Sequence, residues 1–211
     1  MFVNPFPDPR ITKTADGVIA VGGDFIPELV IVAYENGIFP WPHDDVDELL
    51  WFCPEQRGVL LFEELHLSKS FQKWIRKNEI ELEIKINSDF KSIITECQKQ
   101  IRPGQQGTWI TDEMIECYQQ MFHLGKVNCV GVYKNDQLVG GIYGVRSKKY
   151  FSCESMFFKE SNMSKWAFVK LVHELKTQGL NWMDIQMVTD ISGSFGGKYI
   201  SKKMFLDWIG K

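Results

Sequence analysis

The sequence predicts a mixed α and β chain, α+β or α/β, in which a small proline-rich unit precedes a larger mixed sheet flanked by helices. Three observations predict it. Prolines fall at positions 5, 7, 9, 27, 40, 42 and 54, seven of the eight in the chain, so the texture changes near residue 56. Beyond that point amphipathic stretches and strand-like runs follow in the order helix, strands, long helix, strand. A hydrophobic content of 44% over 211 residues supports a sizeable core.

Taken in order, VIAVG between the turn signals Asp16-Gly17 and Gly22-Gly23-Asp24 reads as a short strand. Pro27 to Gly37 reads as a short helix, with proline near its start and glycine just past its end. GIFPWPHDD is a rigid, extended loop holding Phe39 and Trp41. GVLLF is an apolar strand. Ser68 opens a helix with Phe71, Trp74 and Ile75 on one face and Lys69, Lys73, Arg76 and Lys77 on another. IELEIKIN alternates as a strand with one wet side. Helices are predicted over 90–100 and 111–124, the second capped by Thr111. Strands are predicted over 127–133 and 137–143 around a turn at Lys134-Asn135-Asp136, and over 148–157. A long helix over 164–178 ends at Gly179, and LNWMDIQMV is a further strand. ISGSFGGKYI reads as a glycine-rich turn before a short terminal segment.

Composition excludes several classes. Five cysteines with no C-x-x-C spacing argue against a disulfide framework or a zinc site. The histidines at 43, 66, 123 and 173 form no triad or metal spacing. Neither G-x-x-x-x-G-K-[ST] nor G-x-G-x-x-G occurs, so nucleotide hydrolysis is unsupported. No apolar run approaches the roughly 20 residues that span a membrane. MFVNPFPDPR lacks the basic-then-apolar order of a secretion signal, so a cytoplasmic location is expected. With a net charge of −3, binding of a nucleic acid would need a local basic patch. The face formed by Lys69, Lys73, Arg76 and Lys77 suits phosphates, although a solvated surface is the simpler reading.

Polar residues inside apolar runs are the candidates for chemistry. In WMDIQMV, strand alternation puts Asp184 and Gln186 on one face and Met183, Ile185 and Met187 on the other. Glu154 lies among Tyr150, Phe151, Cys153, Met156, Phe157 and Phe158, where burial of a carboxylate is costly without a partner. If the two strands are neighbours, Glu154, Asp184 and Gln186 meet in one cleft. Trp41 and Trp109 sit beside Pro or Gly in turns, where they either plug an interface or stack on a ligand.

Taken together, FPDP, DGVIAVGGDFIPELVIVAYENGIFPW, LHLSKSF, GTWIT, LVGGIYGV, ESMFFKESNMSKWAF and DIQ resemble the leucyl/phenylalanyl-tRNA–protein transferase family along nearly the whole chain. The resemblance implies an α+β protein with a small N-terminal domain over 1–55 and a larger GNAT-like catalytic domain over 56–211. It implies transfer of Leu, Phe or Met from charged tRNA to the N-terminal amine of proteins beginning with Lys or Arg, feeding N-end-rule degradation. An aminoacyl ester is already activated, so no cofactor or metal is expected. A monomer acting on the acceptor end of aminoacyl-tRNA and on a protein N-terminus is expected. Asp184, Gln186 and Glu154 fall on the family's catalytic positions. Trp41 and Trp109 fall where the family surrounds the tRNA 3′-adenosine, and Ile142, Phe151, Met156, Leu171, Leu175 and Met183 where it builds a pocket for the donor side chain. Lys202 and Lys203 stand for paired arginines of the family and join the basic helix as expected tRNA contacts. Cys153 replaces a glycine usual before the glutamate. Two alternatives share these residues: a non-catalytic paralogue that binds aminoacyl-tRNA or N-terminal peptides, and an acyl-CoA N-acyltransferase. The second requires a glycine-bearing phosphate loop at the start of the long helix, where this chain has KESNMSKW.

Overall fold

A computed structural model describes residues 3–12, 14, 16–42, 46, 48–101 and 109–211. His43, and Gly107 and Thr108 of GTWIT, lie outside the described residues. The proline-rich segment builds β1 (Val18–Val21), α1 (Pro27–Glu35), β2 (Phe39–Pro40) and β3 (Leu50–Phe52). Pro27 stands in the first turn of α1, where its missing N–H has no partner to lose. The three strands form an antiparallel sheet in the order β1-β3-β2. After α1 the chain turns at Gly37 with φ of 76°, and a Cβ there would meet Phe205 and Ile209 at 2.8 and 2.9 Å. Only glycine allows that turn to close against the C-terminal helix.

The larger sheet contains β4 (Gln56–Leu61), β5 (Glu83–Ile86), β6 (Val127–Lys134), β7 (Gln137–Arg146), β8 (Phe151–Phe158), β9 (Trp182–Gln186) and β10 (Lys198–Ser201). Its order is β10-β4-β9-β8-β7-β6-β5. Every neighbouring pair is antiparallel except β8 and β9, so the sheet is mixed as the sequence predicts. That parallel pair requires a crossover, supplied by α5 (Met163–Thr177). The other helices are α2 (Lys69–Asn78), α3 (Phe90–Lys99), α4 (Asp112–His123), α6 (Asp190–Ser194) and α7 (Lys202–Trp208). Ser68 and Thr111 cap α2 and α4 by accepting from the Phe71 and Met114 N–H groups. Asn135 and Asp136, both at positive φ, make the tight β6–β7 hairpin turn.

Alternate residues of β6 and β7 enter two apolar clusters, Cys129 and Tyr143 in one, Val130 and Ile142 in the other. The first cluster also takes in the small sheet, α1, α3, α4 and α7; the second takes in α5 and Phe71 of α2. Helices therefore cover both faces of the sheet. Two readings of the sequence are corrected, and one element was missed. IELEIKIN begins as a helical turn over Glu79–Glu81, and only Glu83–Ile86 pairs, with β6. ISGSFGGKYI is not simply a glycine-rich turn: its first four residues lie in α6, and the terminal segment after it is structured, with β10 beside β4 and α7 burying Phe205 and Leu206. The short strand β3 had no alternation to reveal it, since Trp51 and Phe52 are both buried. Among the described residues no helix is long and apolar enough to cross a membrane.

Candidate active site

β8 and β9 share one register pair, Ser152 with Asp184. Beyond it, side chains rather than backbone connect the strands, and a cleft of about 650 Å³ opens. Two irregularities aim its polar groups. Between Tyr143–Ser155 and Gly144–Cys153 the β7–β8 register shifts, and Glu154 is the extra, unopposed residue. A Cβ on Gly144 would overlap the Ser152 carbonyl, so glycine admits this bulge. The bulge brings Cys153, Glu154, Ser155 and Met156 all to the cleft. On β9, Gln186 has φ of 59° and the Met187 N–H donates to the Ile185 carbonyl at 2.6 Å, a γ-turn geometry rarely adopted by a side-chain-bearing residue. Ile185, Gln186 and Met187 consequently all line the cleft, so the alternation expected for WMDIQMV fails at its end.

Asp184 is wholly buried behind these residues. Arg57 grips it through Nε to Oδ1 at 2.9 Å and Nη2 to Oδ2 at 2.6 Å. Ser152 Oγ donates to Oδ2 at 3.2 Å and the Gln186 N–H to Oδ1 at 2.8 Å. The guanidinium lies 4.5 Å from the ring centroids of both Phe39 and Phe205 and donates to the Gly37 carbonyl at 3.2 Å. Burial works against the charged form of Arg57, but Asp184 beside it holds its pKa above the ordinary value.

Glu154 presents the opposite case. Gln186 Nε2 donates to its Oε1 at 3.1 Å, while Oε2 is sealed without a hydrogen-bond partner among the described residues. Burial pushes the carboxyl up to about 7, opposed by the hydroxyls of Ser152 and Tyr34 and reinforced by Asp184. Tyr34 and Tyr118, whose hydroxyls are 3.0 Å apart, lie behind it, their pKa values raised well above 10.0 chiefly by burial. Trp41, Trp109, Phe158, Phe168 and Ile191 complete the apolar walls.

The structure thus brings Glu154 and Gln186 together at the cleft, with Trp41, Trp109 and Met156 on its lining and Asp184 one layer behind. It does not bring the other expected pocket residues there. Ile142, Phe151, Leu171, Leu175 and Met183 are 0% exposed in the second core cluster, because the strand and helix faces that carry them pack on each other. Phe168, Ile185 and Met187 occupy the lining instead. Lys202 is also corrected. Its ammonium is buried against Glu55 Oε1 at 2.5 Å and the Thr12 carbonyl at 3.1 Å, so it is not offered to a ligand. Lys203 is exposed and paired with Asp207 at 3.1 Å. Lys69, Lys73, Arg76 and Lys77 are all exposed. Arg57 and Ser152 are the residues that sequence reasoning missed. A lone arginine entering the apolar run GVLL was the available signal, since such a charge needs a buried acid.

A family model described as leucyl/phenylalanyl-tRNA protein transferase matches residues 59–210, and one for that family's N-terminal domain matches residues 23–55. A Flavobacterium psychrophilum protein named leucyl/phenylalanyl-tRNA--protein transferase is 43% identical over 94% of this chain and 93% of its own. A Maridesulfovibrio salexigens protein of the same name is 42% identical over 97% of this chain and 84% of its own. Among solved structures, the L-PGS of Bacillus licheniformis superposes with a TM-score of 0.45 at 11% identity, over 87% of this chain and 70% of that one.

Proposed function

This chain belongs to the leucyl/phenylalanyl-tRNA protein transferase family, and from that premise we propose that it moves Leu, Phe or Met from charged tRNA to the N-terminal amine of proteins beginning with Lys or Arg, feeding N-end-rule degradation. The observation that carries the reading is the hydrogen-bonded series Arg57–Asp184–Gln186–Glu154, ending in a cleft walled by Trp41 and Trp109.

The reaction needs little beyond positioning. The ester is activated, and an amine with an ordinary pKa near 8 is partly neutral at pH 7. Holding the two in contact supplies roughly 7–11 kcal/mol. In this reading Gln186 orients the amine, and Asp184 fixes Gln186 through its N–H. The apolar lining favours Leu, Phe and Met and rejects charged donors by desolvation. Glu154, on the cleft lining with no cation beside it among the described residues, faces the place where the acceptor amine would arrive. Its position among aromatic residues, costly in an empty site, is then completed by the acceptor. The face of Lys69, Lys73, Arg76 and Lys77 would meet the acceptor end of the tRNA.

The test is direct. Purified protein is incubated with radiolabelled Leu-tRNA and a peptide beginning with Arg. Label is expected on the peptide, and Gln186→Ala is expected to lower the rate by about 10²-fold, the scale of a misplaced reactant. Retained tRNA binding without transfer would instead favour a non-catalytic paralogue.

A further inference from the structure

Two carboxylates stand on neighbouring strands here, and their surroundings differ in kind. Asp184 accepts four hydrogen bonds from the described residues, two of them from a guanidinium, and has no exposed surface. Its lone pairs are occupied and its charge is matched. Glu154 accepts at Oε1 from an amide that also lines the cleft, the other donors near it are the neutral hydroxyls of Ser152 and Tyr34, and among the described residues no cation pairs with it. A carboxylate so placed gains by taking a proton, whereas both oxygens of Asp184 already face donors.

We propose that Glu154 is the proton acceptor of the transfer. The inference rests on the aminoacyl-transfer reading above. The neutral amine attacks the ester carbonyl and the C–N bond forms. The proton that the nitrogen sheds passes to Glu154. As the C–O bond breaks, Glu154 returns that proton to the departing ribose oxygen, so nothing is consumed and the site is reset. Gln186 holds the carboxylate by Oε1 and keeps it beside the amine. Asp184 is a positioning residue, acting through the Gln186 N–H.

The groups around Glu154 are Tyr34 from α1, Tyr118 from α4, Asp184 from β9 and Cys153 from its own strand. Burial raises Tyr34, Tyr118 and Cys153 above the range tested, so those three do not titrate with it. Because burial lifts the Glu154 carboxyl to about 7, the proton-accepting form is lost as pH falls through that value.

The experiment measures kcat/KM for an Arg-initial peptide, with Leu-tRNA saturating, across about pH 5.5 to 8.5, a span holding both relevant ionisations. For the native chain, log kcat/KM should fall with a limiting slope of two on the acid side, one proton for the amine and one for Glu154. Glu154→Gln should reduce the slope to one and kcat at pH 8 by about 10²-fold or more, the usual worth of a general base. Glu154→Asp should keep the slope of two. Leu-tRNA binding by each variant reports its folding. A native slope of one overturns the proposal whatever the variants do. So does Glu154→Gln with kcat unchanged and only the peptide KM raised, which is the mark of an anchor. Native protein that moves no label overturns the transfer reading itself; native transfer with an insensitive Glu154→Gln overturns only this inference.

Discussion

Arg57 has 1% of its side chain exposed and no water to share its charge, so its partners bear all of it. Removing one member of such a pair leaves the other as an uncompensated buried ion. Arg57→Met should therefore destabilise the fold by about 3–5 kcal/mol, read as a lowered denaturation midpoint. Arg57→Met with Asp184→Leu removes both charges and should recover most of that loss. Transfer should not return with stability, because the Gln186 N–H then lacks its acceptor at 2.8 Å. A double variant that transfers at the native rate would show that the ion pair serves the fold alone. At this scale the sequence was partly legible. Glu154 and Gln186 stand out as polar residues in apolar runs, and their meeting follows once the strands adjoin. The clamp on Asp184 was not legible, because Arg57 lies 127 positions away and nothing local couples the two.

At the scale of elements the site depends on glycines that let strands depart from regular pairing. The β4–β9 register shifts between Gly58 and Val59. A Cβ on Gly58 would stand 2.9 Å from the Met187 carbonyl carbon and 3.1 Å from its Cα. Both atoms are backbone, so neither can rotate away, and Gly58→Ala must push the end of β9 outward. That displacement falls on Gln186, whose turn is already at positive φ. Transfer by Gly58→Ala should drop by about 10-fold to 10²-fold, the effect of misplacement by a fraction of an ångström to one ångström. The stability cost should be about 1–3 kcal/mol. Kinetics at saturating Leu-tRNA would check this, and a variant with native kcat would separate the close contact from catalysis. Regular elements could be read because their periodicity is local: α2, α4, α5 and the β6–β7 hairpin lie within a few residues of expectation. The bulge at Glu154, opposite Gly144, and the turn at Gln186, which carries a side chain at positive φ, break period two through backbone geometry that strand alternation does not announce. The five residues assigned to the pocket by resemblance lie on regular faces of β7, β8, β9 and α5 that pack on each other, so they sit in the core instead.

The whole molecule carries a net charge of −3, yet the proposed substrate is a polyanion. The long-range field of the protein as a whole therefore opposes binding, and local placement of cations has to outweigh it. α2 is well placed for that. Its Phe71 lies 6.1 Å from the Phe195 ring, and Phe195 stacks at 4.8 Å on Phe168, a residue of the cleft wall. Two aromatic contacts thus connect the basic helix to the lining, and the four cations on it are exposed. An acceptor stem lying along α2 would deliver its esterified end to the cleft. Each phosphate neutralised releases counterions, so log affinity should fall with log salt by about 0.7–0.9 per phosphate. Changing Lys69, Lys73, Arg76 and Lys77 to Glu should weaken Leu-tRNA binding and flatten that slope by the same increment for every phosphate left unneutralised. Lys202 supplies the control. Its ammonium already answers Glu55 and the Thr12 carbonyl, so Lys202→Met should lower stability and leave the salt slope as it was. Equal slopes for the native chain and the α2 variant would move the tRNA path to another face; a slope flattened by Lys202→Met would mean that its ion pair opens to admit a phosphate.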